Sequence, residues 1–196
     1  MLLAAAVRAQ DDSSVEADTN SPPKFKAELF KGEYVGVSQM LRLMVNSGTN
    51  QFMIVVPRDM QVDQSSPGKI AFVSDDRSYY LIFRILAAPE SNPSKHDTYR
   101  GMLTRDYSGA RITEESFARA AGHAGPCFDL FWRAYGGTEQ FVRVAFIYSP
   151  AGILEFSLIS NFENQGVAEH AFRGLLKSLR SNEKGKIKIV PEIDYS

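Results

Sequence analysis

The chain has 196 residues, 44% of them hydrophobic and 23% charged, with 22 Lys and Arg against 23 Asp and Glu. A formal net charge of -1 excludes a nucleic-acid binder that works through a broad basic surface. A single cysteine excludes a disulfide framework and a multi-cysteine zinc site, and no apolar run approaches the length of a transmembrane helix.

Met1 to Gln10 reads MLLAAAVRAQ, a short apolar run that ends where Asp11, Asp12, Ser13 and Ser14 begin. Val7 and Ala9 stand at minus three and minus one of a cut after Ala9, where signal peptidase accepts small apolar side chains. Residues 1–9 are therefore read as the remnant of a signal peptide, which makes the expected location periplasmic or secreted. The other reading is an N-terminus that is merely alanine-rich. Residues 10–24 hold little to bury and are expected to be a disordered linker. A single α+β domain is assigned to 25–182, and 183–196, with KIKIV at its centre, to a C-terminal tail.

Within the domain, Met40 to Val45 and Gln51 to Val56 read as a β-hairpin around a five-residue turn, Asn46 to Asn50. Pro57 ends the second strand. Lys69 to Val73, a turn at Asp75-Asp76, and Ser78 to Leu86 follow. Ser94 is the expected N-cap of a helix through about Tyr107, stopped at Gly109. Ala110 to Ala121 fits a strand or a helical turn. Cys127 to Tyr135, Gln140 to Tyr148 and Ile153 to Ser160 are strands joined by short turns, hence antiparallel neighbours. From Asn164 to Leu179 the residues Val167, Ala168, Ala171, Phe172, Leu175, Leu176 and Leu179 recur at helical spacing.

Strand alternation then predicts two faces. Phe128, Leu130, Trp132, Val142, Val144, Phe146 and Tyr148, with Leu154, Phe156 and Leu158, form the apolar face on which the last helix is expected to pack. The reverse face gathers Asp129, Arg133, Tyr135, Arg143 and Glu155, with Phe131 and Phe141 between them and Arg84 joining if its register allows. The architecture is α+β, an antiparallel sheet flanked by helices.

The order from hairpin to closing helix resembles the PsbP-like superfamily, which includes the photosystem II extrinsic protein P and bacterial DcrB-type proteins. The resemblance is carried by Phe52, Ile54 and Pro57 in FMIVVPRDM, by the strands from Ala110 to Ser160, and by FRGLLKSLR from Phe172 to Arg180. Asp59 and Met60 stand where the family often has Gly-Trp, and Ser178-Leu179 where it commonly ends Ser-Phe. The resemblance implies an α/β/α sandwich and a non-enzymatic, often exported, binding or assembly role.

Catalytic signatures are absent from the sequence. His96, His123 and His170 lack the i, i+4 spacing of a helical metal pair. The glycines form neither a phosphate loop nor a nucleophile elbow. His123 and Cys127 are the one pair resembling a base and its thiol, with a loop at Gly125-Pro126 to turn the chain between them; a packed cysteine is the preferred reading. No cofactor and no metal are expected. The leading function is a non-enzymatic protein binding a protein or envelope partner, without nucleic acid. An anionic-ligand module on Arg84, Asp129, Arg133, Tyr135, Arg143 and Glu155 is second, and a cysteine-dependent enzyme third.

Overall fold

The computed structural model describes residues 25–35, 38–87, 96–133 and 137–182. The expected leader (1–9), linker (10–24), tail (183–196), Ser94 cap and Tyr135 lie outside the described residues. Six strands come first: β1 (Lys26–Val35), β2 (Ser38–Ser47), β3 (Asn50–Val55), β4 (Met60–Asp63), β5 (Lys69–Ser74) and β6 (Tyr79–Leu86). Helix α1 (His96–Asp106) precedes β7 (Arg111–Ala120), β8 (His123–Arg133), β9 (Glu139–Ser149) and β10 (Gly152–Ser160). The chain then forms α2 (Gln165–Ser178) and β11 (Arg180–Asn182). All strand pairs are antiparallel, in a four-stranded sheet β1-β2-β3-β11 and a seven-stranded sheet β4-β5-β6-β10-β9-β8-β7. The α+β class is as expected.

The first hairpin is tighter than its sequence suggests. Ser47 pairs with Asn50, so only Gly48 and Thr49 form the turn, with Gly48 at φ +58° in the left-handed region. Asn46 joins the ladder instead of the loop, and its Oδ1 accepts a 2.9 Å bond from Gln51 Nε2 across the strands. The segment after Gly109 is a full strand, β7, at an edge of the larger sheet. Its burial does not alternate cleanly because most of it is exposed.

The two faces of the larger sheet differ from the expected assignment. Between β8 and β9 the register pairs like with like in parity, Cys127 opposite Ala145 and Asp129 opposite Arg143. Between β9 and β10 a two-residue turn, Pro150-Ala151, sets Ser149 against Gly152, so even positions face odd ones: Glu155 opposes Phe146 and Leu154 opposes Ile147. Opposed residues share a face. Leu154, Phe156 and Leu158 therefore lie with Cys127, Asp129, Phe141, Arg143, Ala145 and Ile147. Glu155 and Ser157 lie with Phe128, Leu130, Val142, Val144 and Phe146.

Each face has its own core. On one, Tyr99 and Leu103 of α1 and Tyr107 just after it, at i, i+4 and i+8, lie over Phe128, Leu130, Val142, Val144, Phe146 and Ile153. Tyr99 packs 4.6 Å from Phe146 and Tyr107 stands edge-on to Trp132 at 5.4 Å. On the other, α2 contributes Ala168, Phe172, Leu175 and Leu176 to a core with Leu154, Phe156, Leu158, Ile70, Phe72, Leu81 and Phe83. Leu43, Val45, Phe52 and Ile54 of the smaller sheet complete that core. So α2 does cover Leu154, Phe156 and Leu158, but the Phe128–Trp132 and Val142–Tyr148 surface expected beneath it belongs to α1. A one-residue change of register exchanges every side chain between faces, and the two-residue turn supplies that change.

Candidate functional site

The charged set predicted for one sheet face is divided between two. On the α1 side, Arg84 of β6 opposes Glu155 of β10. Its Nε and Nη2 donate to Glu155 Oε1 at 3.0 and 2.6 Å, and Nη2 also reaches Oε2 at 2.7 Å and Asp106 Oδ2, at the end of α1, at 2.9 Å. The Glu155 residue is 2% exposed and its Oε1 accepts a further 2.9 Å bond from Ser157 Oγ. Burial works against the Arg84 charge, but the adjacent Glu155 carboxylate outweighs it and the guanidinium pKa is raised.

On the α2 side, Arg143 Nε and Nη2 donate to Asp129 Oδ1 and Oδ2, each at 2.6 Å, a two-pronged pairing across β8 and β9. Arg143 Nη1 lies 3.4 Å from Glu169 Oε2 of α2, and the guanidinium sits 5.4 Å from the Phe141 ring centre. Hydrogen bonding to Asp129 holds its pKa above the ordinary arginine value. Arg133 is exposed at the end of β8, opposite Glu139. Each of the two inner arginines therefore ties a helix to the sheet through carboxylates that leave little of the guanidinium for a ligand.

The His123–Cys127 pair does not form. Gly125 and Pro126 continue β8 instead of turning the chain, and four residues of strand separate the two side chains by about 13 Å. Cys127 is buried, and burial pushes its thiol up to about 11, away from the thiolate a nucleophile requires.

A concavity lies elsewhere, between the β2–β3 sheet and α2. This groove of about 640 Å³ is lined by Met40, Leu41, Val56, Met60 and Val167, with Arg58 and His170 among its polar lining residues. Its α2 wall is His170 together with the stripe Val167, Ala171, Gly174 and Ser178, whose i, i+4, i+7, i+11 spacing keeps them in line. Small residues at 171 and 174 leave the space open. Ser178 fixes the width, since its Oγ accepts a 3.1 Å bond from Val55 N–H and donates to Leu175 O at 2.8 Å. Val167, expected in the core, is 63% exposed at the groove.

Asp59 also lines the groove and has φ +59°. That left-handed conformation suits glycine and is tolerated by Asp. Met60, next to it, is buried in the core. The groove draws on segments near 40, 55–60, 79 and 167–178. The sequence signal that bears on it is the small-residue stripe on α2, masked there by the larger residues beside it.

No family model matches the chain, and no curated protein does. Among solved structures it is similar to the cyanobacterial PsbP (CyanoP) from Synechocystis sp. PCC 6803, at 12% identity over 85% of this chain and 97% of that one, with a TM-score of 0.48. It is similar to LpqN, involved in cell envelope biogenesis of Mycobacterium tuberculosis, at 11% identity over 80% and 91%, TM-score 0.44. It is also similar to PA94, a protein of unknown function from Pseudomonas aeruginosa, at 15% identity over 63% and 89%, TM-score 0.41. A PsbP protein, of the superfamily the sequence resembles, is thus among the structures like this one.

Proposed function

We propose that this chain is an exported, non-enzymatic binding protein that holds an apolar chain of an envelope component in the groove between the β2–β3 sheet and α2. The observation that carries the reading is the groove itself, a largely apolar cleft of about 640 Å³ walled by a helix stripe with exposed Val167 and bare Gly174. Concave, mostly apolar sites of this size are where proteins take such ligands. Export rests on the leader-like residues 1–9, and the non-enzymatic role on the Cys127 thiol, buried in β8 with its pKa raised by that burial. The two helix-flanked faces of the larger sheet are read as the PsbP-like α/β/α sandwich. Arg84, Asp129, Arg143 and Glu155 take a structural part in this reading, holding the helices to the sheet.

A dansylated undecanoic acid tests the groove. A Cβ at Gly174 meets nothing within 4 Å, so Gly174→Trp places its ring in the groove without disturbing the helix. The fluorescent acid should bind the natural chain saturably and the variant at least about tenfold more weakly, the loss of roughly 1.4 kcal/mol of apolar contact. Equal binding by both, or no saturable binding by the natural chain, removes the reading.

A further inference from the structure

The larger sheet ends at β7, and no strand pairs with its outer edge among the described residues. A bare edge offers a row of backbone N–H and C=O groups to another strand. The pairing of β7 with β8 shifts register between Ile112 and Glu114, and left-handed Ala121 (φ +50°) and Gly122 (φ +81°) close the far end. Such an irregularity bends a strand and ends regular pairing. The regular stretch is therefore 114–120, with Phe117 at its midpoint. Within it only Ala118 and Ala120 are not exposed. Phe117 is 72% exposed, the most of any large hydrophobic side chain among the described residues.

Register sorts these side chains by face. Glu115, Phe117 and Arg119 oppose Phe128, Pro126 and Ala124 of β8 and so lie on the α1 side. There Arg100 of α1 donates to Glu115 Oε1 from Nε at 2.8 Å, with Nη2 at 2.7 Å. Arg119 is exposed and makes no ion pair among the described residues. Along this face the edge runs acid, aromatic, base, evenly spaced about Phe117.

That order is its own complement. When the strand meets a second copy of itself antiparallel, a two-fold axis at Phe117 sets Glu115 of each copy opposite Arg119 of the other, and ring against ring. On the reverse face Ser116 meets Ala118 and Glu114 meets Ala120, so no like charges oppose. Neighbouring registers lose the match. Centred on Glu115, the strands oppose acid to acid and Arg111 to Arg119. Centred on Ser116 they set Glu115 against Phe117, and centred on Ala118 they set Glu115 against Ala121.

We propose that this chain forms a two-fold dimer by antiparallel pairing of β7 with β7 of a second copy, joining the two seven-stranded sheets into one sheet centred on Phe117. Backbone hydrogen bonds supply the contact, and two Glu115–Arg119 pairs set the register. A carboxylate accepts from more than one guanidinium, so Glu115 keeps its bond to Arg100.

Sedimentation equilibrium over a wide range of concentration tests the pairing. The natural chain should show a reversible monomer–dimer equilibrium. Arg119→Glu sets acid against acid and Glu115→Arg sets base against base, so each should weaken association by at least about tenfold. Mixed in equal amounts, the two variants should associate again, because every charge pair across the mixed interface then joins opposite signs. Both positions are exposed, and exposed ion pairs add little to stability, so both variants should melt near the natural chain. Recovery in the mixture, which only folded variants can show, supports the dimer and its register. Three results overturn the proposal: a natural chain that stays monomeric throughout, which leaves the edge to a strand of another protein; association that survives Arg119→Glu; or a mixture no more associated than its components.

Discussion

Gly125 shows how closely one position can be specified. A Cβ built there would stand 1.7 Å from the Phe146 carbonyl oxygen and 2.8 Å from its carbon, both backbone atoms that cannot swing aside. Pro126, next in β8, lacks the N–H that a continuing ladder would need, and β8–β9 pairing begins only at Cys127. Gly125→Ala should therefore push β8 off β9 and destabilise the chain by about 2–4 kcal/mol, read from the urea midpoint. A change below about 0.5 kcal/mol would contradict the close approach. Cys127, two residues on, makes alkaline stability measurable. Its thiol is pushed by burial from 9.0 to about 11, so the folded chain keeps a proton that the unfolded chain releases. Stability from this group is complete below about pH 9 and is lost as pH climbs through 11. Burial likewise pushes the Tyr107 hydroxyl to about 12, extending the decline. Cys127→Ala should flatten the fall between pH 9 and 10 and leave the later fall; parallel declines in both proteins would exclude the thiol as its origin.

At the scale of elements, legibility followed periodicity. The apolar repeat of α2 and the long runs of β6, β9 and β10 state their own secondary structure, because buried faces demand a regular pattern. The strands β1, with KAELFKGEYV, and β4, only four residues long, have no such demand and went unread. β7 stayed ambiguous because an exposed edge need not alternate. The face error has a sharper cause. Pro150-Ala151 was visible as a tight turn, and two residues between paired ends oblige even positions to oppose odd ones. That parity, applied at the turn, puts Arg143 and Glu155 on opposite faces. The groove, by contrast, joins distant segments and needs tertiary structure to be seen. Within α2, Gly174 is exposed and its Cβ position is empty, so the glycine contributes only backbone freedom to the unfolded chain. Gly174→Ala should raise stability by about 0.5–1 kcal/mol. A loss of stability would mean that the open space is occupied in solution by a neighbouring side chain.

Over the whole molecule, the two arginine clusters report on how the layers are stacked. Arg84 ties β6 to β10 and to the end of α1, whereas Arg143 ties β9 to β8 and to α2, on opposite faces of one sheet. They share no carboxylate. Removing either leaves a buried acid without its partner: Glu155 in one case, Asp129 in the other. Loss of one partner from a fully buried pair costs about 3–5 kcal/mol; with the arginines 29% and 21% exposed, solvent screening lowers this to about 2–3 kcal/mol each. Because the sheet stands between them, the costs of Arg84→Met and Arg143→Met should add to within about 0.5 kcal/mol in the double variant. A single network on one face would instead show a coupling of about 0.5–3 kcal/mol, since the second removal would cost less once the first had loosened the shared site. Urea denaturation of the four proteins in the cycle separates the two cases. Strong coupling would return Glu155 to the face of Arg143 and, with it, α2 to the surface now covered by α1.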